Sequence, residues 1–88
     1  MSDSIIFEAL CGSADDAVLA AAAGADRVEL NASLGEGGLT PSPGSVRLAK
    51  ERGGIPVLAM LRPRPSGFAY SEIEFEVMLE DARALLSA

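Results

Sequence analysis

The sequence predicts an α/β fold in which three parallel strands alternate with three helices, as in one sector of a (β/α)8 barrel. Three observations predict it. Apolar runs beginning near residues 5, 26 and 55 alternate with helix-like stretches, the order that gives a parallel sheet with crossover helices. The charged residues within those runs fall on one strand face and the apolar ones on the other. Long glycine- and proline-bearing loops follow the second and third runs, on the side where barrel sites form.

Each element has its own signal. Ile5 to Cys11 is short, apolar and rich in branched and aromatic residues, and is read as strand one. Ser13-Ala14-Asp15-Asp16 is an N-cap with acids in the first turn, where the helix dipole favours them. The alanine-rich stretch Ala14 to Ala23 follows as helix one, stopped by Gly24. Asp26 to Asn31 alternates polar with apolar and is strand two. Ser33 to Thr40 is a glycine-rich loop, too flexible for either regular element. Ser42 caps helix two, with Pro43 in its first turn, and the helix runs to about Arg52 before Gly53-Gly54. Ile55 to Leu61 is strand three, with Pro56 tolerable near its start. Arg62 to Tyr70 is a loop broken by Pro63, Pro65 and Gly67. Ser71 and Glu74 form a capping box ahead of helix three, Glu72 to about Leu86. Phe75, Met78, Leu79, Ala82, Leu85 and Leu86 form its apolar stripe. Residues 1–88 form one domain with no linker.

Composition narrows the classes of function. Apolar residues are 49% of the chain and charged ones 23%, a globular balance. The net charge of −6, with no basic cluster, excludes nucleic acid and an anionic membrane as partners. A single cysteine excludes an internal disulfide, and zero histidines remove the commonest general base and metal ligand. Met1-Ser2-Asp3-Ser4 is acidic and does not read as a signal peptide. No apolar run is long enough to span a membrane. The cytosol is the expected compartment.

Strand parity groups the chemistry. Arg27, Glu29 and Asn31 share one face of strand two, against Val28 and Leu30, which must meet the helices. The matching faces of strands one and three carry Glu8 and Arg62. Four charges on the helix-free face suit a barrel interior with a polar site better than a flat, doubly covered sheet. An ion-pair network that merely fills the barrel is the alternative reading of Arg27 and Glu29. Arg62, at the end of strand three, is the best placed for ligand binding. Arg62-Pro63-Arg64 presents two guanidiniums on a stiff backbone, fit for a carboxylate or phosphate. Tyr70 either closes over such a ligand or packs on helix three. The amides of Gly35, Gly37 and Gly38 either cradle an anion or form a plain connection. Soft donors are few: Cys11, Met60 and Met78 besides Met1. Met78 belongs to the helix stripe and Met60 to a barrel layer. Cys11 falls on the helix side, so a buried inert thiol competes with its role as the one candidate metal ligand.

Four stretches, in order, resemble the CutC family, named for copper homeostasis. They are Gly24-Ala25-Asp26-Arg27-Val28-Glu29-Leu30, Glu36-Gly37-Gly38-Leu39-Thr40-Pro41-Ser42, Ile55-Pro56-Val57 through Arg62-Pro63-Arg64, and Phe68 with Tyr70-Ser71 and the glutamate-rich helix after them. The resemblance implies a cytosolic (β/α)8 barrel associated with copper binding and no assigned reaction. The family's charged set maps to Glu8, Arg27, Glu29, Arg62 and Arg64. Family members proposed to bind copper carry cysteines at the positions of Leu10 and Asn31, and the usual Gly-Gly-Asp after Arg-Pro-Arg is Pro65-Ser66-Gly67 here. Both departures weaken the copper expectation more than the fold.

A closed barrel takes ~250 residues, so the chain is expected to be the N-terminal third of one, truncated, with two open sheet edges that favour self-association. Three functions follow. The first is copper homeostasis, with copper(I) bound through Cys11. The second is an enzyme holding a small anionic substrate through Arg62 and Arg64, with Glu8 or Glu29 as acid or base and Arg27 and Tyr70 as further ligand-binding candidates. The third is no activity from this chain alone.

Overall fold

The computed structural model describes residues 5–88; the acidic leader read at Met1 to Ser4 lies outside them. The elements run β1 (Glu8–Cys11), α1 (Ala14–Ala22), β2 (Arg27–Leu30), a short 3-10 turn (Leu34–Glu36), α2 (Pro43–Gly53), β3 (Val57–Ala59) and α3 (Glu72–Leu86). The strands form one parallel sheet in the order β1-β2-β3. Glu8 pairs with Arg27 and Cys11 with Leu30, while Glu29 pairs with Leu58. This is a partial (β/α)8 barrel unit.

The helix starts follow the local chemistry. Ser13, Ser42 and Ser71 each accept, through the side-chain oxygen, the amide three residues on. Each satisfies a donor that has no partner inside its helix. At α3 the Glu74 carboxylate returns the bond to the Ser71 amide at 2.8 Å, completing the capping box. Gly54 ends α2 with φ +71, and Gly24 follows α1 with φ +106. Both occupy the left-handed region that favours glycine.

All three strands are shorter than the sequence predicts. β2 pairs over four residues with β1 and over three with β3. Ile5, Ile6 and Phe7 precede the ladder and are exposed. Phe7 is tied instead to Asp26, whose amide donates to the Phe7 carbonyl and whose carboxylate accepts from the Phe7 amide. The loop after β2 is more ordered than predicted. Besides its 3-10 turn, Ala32 and Leu39 exchange backbone bonds of 2.9 and 2.7 Å as an antiparallel bridge.

The core lies on the helix side of the sheet. Val28 and Leu30 of β2 are 1% and 0% exposed, packed with Cys11, Ala17, Val46, Ala49 and Leu85. Burying a side chain such as Leu30 contributes roughly 2 kcal/mol. Ala17 and Ala49 keep α1 and α2 small-faced, which lets the helices lie close over the sheet. The predicted stripe of α3 is only partly used. Leu85 is buried and Met78 and Ala82 are half-buried, but Phe75, Leu79 and Leu86 are exposed. The opposite sheet face carries Leu10 and Leu58, both exposed, beside Glu8, Arg27 and Glu29.

Candidate functional site

The parity argument holds. Val28 and Leu30 lie beneath the helices, and Glu8, Arg27 and Glu29 lie on the other face. The charges do not gather into one site, however. Glu8 and Arg27 are the first residues of β1 and β2 and pair with each other, Arg27 Nε donating to Glu8 Oε1 at 2.5 Å. A four-residue strand spans about 10 Å, so this exposed pair sits at the N-terminal end of the sheet. In a barrel that end carries stability, not chemistry. Glu8, an acid-or-base candidate, and Arg27, a ligand-binding candidate, thus pair with each other at the end of the sheet opposite Arg62.

The C-terminal end holds Glu29, Asn31 and Arg62. Arg62 is fixed by its backbone: its amide donates to Thr40 Oγ1 at 2.8 Å, and its carbonyl accepts the Thr40 amide at 3.0 Å. This double clasp joins the loop after β3 to the start of α2. The guanidinium lies over the Phe68 ring, 4.7 Å from its centre, an attraction between a cation and the negative ring face. Its Nη1 donates a long 3.3 Å bond to the Glu36 carbonyl. Its Nε is buried with no partner. A cleft of about 480 Å³ borders Arg62, with Thr40, Pro41, Ser42, Pro63 and Asp81 among its lining residues.

Asn31 was not singled out as a site residue by sequence reasoning, although its parity with Glu29 was plain. It is 2% exposed. Its Nδ2 donates at 3.4 Å to both the carbonyl and the carboxylate of Glu29, and its Oδ1 has no partner. Two glycines explain how these side chains are enclosed. A Cβ on Gly37 would lie 2.8 Å from Arg62 Nη1, and one on Gly38 would lie 2.5 Å from Asn31 Oδ1. Only glycine lets the backbone come this close, and both have φ near +90. Their role is to cover the two side chains.

Arg64 is held within its own loop. All five of its N–H donors have acceptors within the chain: Glu74 twice, and the carbonyls of Pro65, Ser66 and Ala69. It therefore organises its own loop and has no donor left for a ligand. Tyr70 stacks on the Arg64 guanidinium at 5.0 Å, which accounts for its position without a ligand. Glu74 answers Arg64. The guanidinium bond, followed by the bond from the Ser71 amide, lowers its carboxyl to about 2.

Cys11 is buried at 3% exposure among the helix-side core residues. Burial, then the Asp16 charge, raises its thiol above the ordinary range, which disfavours the thiolate a metal would need. Among the described residues no three His, Cys, Asp or Glu side chains cluster as a metal site. Leu10 is exposed and Asn31 buried, and neither supplies sulfur. The residues present do not fit a copper ion.

The sequence profile of the CutC family matches residues 5–88. The CutC family protein of Treponema denticola is 52% identical over 83 residues, covering 94% of this chain and 34% of that protein. The human protein called copper homeostasis protein cutC homolog is 44% identical over 82 residues, covering 93% of this chain and 30% of it. A crystal structure of a protein described as a copper homeostasis protein CutC, from Streptococcus agalactiae, superposes with a TM-score of 0.84 at 34% identity. It covers 94% of this chain and 41% of that one. The chain thus spans about a third of the length of the curated relatives it matches.

Proposed function

The chain belongs to the CutC family, and on that premise we propose that it forms part of a barrel mouth that holds a small anionic ligand through Arg62. The observation that carries this reading is the buried Arg62 Nε without a partner. A charged donor enclosed and unpaired is costly, and an incoming carboxylate or phosphate oxygen relieves that cost. Arg62 also stands just beyond β3, on the end of the sheet where barrel sites form. Glu29, on the same face and at the same end, is the acid or base this reading retains. Among the described residues no helix is long and apolar enough to cross a membrane, and the cytosol is the compartment the reading assigns.

The relatives' name favours a second reading, copper binding. Here it lacks a donor set, for the reasons given for Cys11. Calorimetric titration with phosphate and acetate, on the wild type, Arg62→Ala and Arg62→Lys, tests the first reading. Anion affinity should fall at least about tenfold in Arg62→Ala and partly recover in Arg62→Lys. Equal affinity in all three overturns it. A parallel copper(I) titration should show no site in the wild type; a site lost in Cys11→Ser would favour copper instead.

A further inference from the structure

We infer that Asn31 and Arg62 together form a subsite for a carboxylate bearing a hydrogen-bond donor on its adjacent carbon, as in an α-hydroxy or α-amino acid. The ligand's carboxylate accepts from Arg62 Nε, and its hydroxyl or ammonium donates to Asn31 Oδ1. The inference rests on the anion reading of Arg62 and adds the second contact point.

Two atoms carry it. Among the described residues, Asn31 Oδ1 and Arg62 Nε are the buried side-chain nitrogen or oxygen atoms without a hydrogen-bond partner. Such atoms are rare in folded proteins, and each calls for a physical reason. One is an acceptor and the other a charged donor, so together they ask for the opposite pair on one molecule. The orientation of the Asn31 amide is set by its surroundings. Its NH2 group faces the carbonyl and the carboxylate of Glu29, both acceptors. Turning the amide over would oppose oxygen to oxygen. Oδ1 is therefore the atom beneath Gly38.

The two side chains share one cover. A Cβ on Gly37 would lie 2.8 Å from Arg62 Nη1 and one on Gly38 2.5 Å from Asn31 Oδ1, so the two side chains lie beneath consecutive residues of one loop. Residues 33–37 of this cover are exposed, whereas Gly38 is buried. The Ala32–Leu39 bridge, the bond from the Gly38 amide to the Ser33 carbonyl and the Arg62–Glu36 bond hold it. A ligand that reaches both atoms displaces this cover. Glu29, beside Asn31, favours a cationic or neutral donor over a second anion at that point.

The test is an amide NMR titration of the full chain with glycolate, glycine and acetate. Glycolate or glycine should bind at least about tenfold more tightly than acetate and shift the Gly37 and Gly38 amides; which of the two does so tells a hydroxyl from an ammonium donor. Asn31→Ala should erase the advantage while acetate binding persists, and Arg62→Ala should abolish binding of all three. If acetate binds through Arg62 as well as the others do in the wild type, the subsite is overturned and the anion reading stands. If no probe binds through Arg62, both fall. The wild-type comparison decides the matter even where Asn31→Ala does not fold.

Discussion

Arg64 and Glu74 meet at two points: Nε reaches Oε2 at 2.5 Å and Nη2 reaches Oε1 at 3.1 Å. The contact ties the proline-rich loop after β3 to the first turn of α3, since Glu74 also closes the capping box on Ser71. Within a loop that reads as a ligand-binding arm, Arg64 thus serves as an internal brace.

That brace predicts a pH dependence with a definite sign. The folded Glu74 carboxyl lies at about 2, below the unfolded value of roughly 4.3. Its stabilisation is therefore fully present above about pH 4.3 and lost as pH falls toward 2. Urea unfolding of the wild type and Glu74→Gln, followed by circular dichroism, should show a gap at pH 6 that narrows below pH 4. A constant gap from pH 6 to 2.5 would contradict the assignment.

Cys11 should behave as a core residue. Its thiol is buried and its pKa raised, so a disulfide reagent at pH 7.5 should modify it slowly and denaturant should release the reaction. Cys11→Ser places a hydroxyl in the core and should cost about 1–3 kcal/mol. Rapid modification of the native chain would contradict the placement.

Gly38→Ala should be more damaging than Gly24→Ala. Both positions have positive φ, but a Cβ at Gly24 meets nothing within 4 Å, whereas one at Gly38 strikes Asn31 Oδ1. The backbone penalty of about 1 kcal/mol is common to both; the clash is not. Chemical denaturation should rank them in that order, and Asn31→Ala should partly rescue Gly38→Ala.

Self-association is expected from the sheet. β1 and β3 are its two edges among the described residues, and Leu10 and Leu58 stand exposed on the helix-free face. Unpaired edges beside apolar side chains favour pairing with another copy. Sedimentation should show mass rising with concentration, and Leu58→Lys should suppress it. A monomer at all concentrations would refute this.

The fold was largely legible because its signals are local. Serine caps, glycine stops and the alternation around Val28 and Leu30 each need only a few neighbouring residues. The site was legible in part. Parity groups Glu8, Arg27, Glu29 and Arg62 on the helix-free face, but it says nothing of position along a strand, where Glu8 and Arg27 lie at the end opposite Arg62. The internal use of Arg64 depends on Glu74, ten residues away. In sequence Asn31 stands out only by its parity with Glu29 and as the place of a family cysteine; that its amide oxygen lies unpartnered beneath Gly38 depends on a loop folding back over it.

The central position of β2 has a kinetic meaning. Its pairings join residues 19 positions back, as Glu8 to Arg27, and 29 positions forward, as Val28 to Val57. Such modest separations keep the entropy of loop closure low. Strand two is the one segment that both closures require, so its amides should be the last to exchange with heavy water. Whatever slows the ordering of Val28 and Leu30 should slow the assembly of the whole sheet.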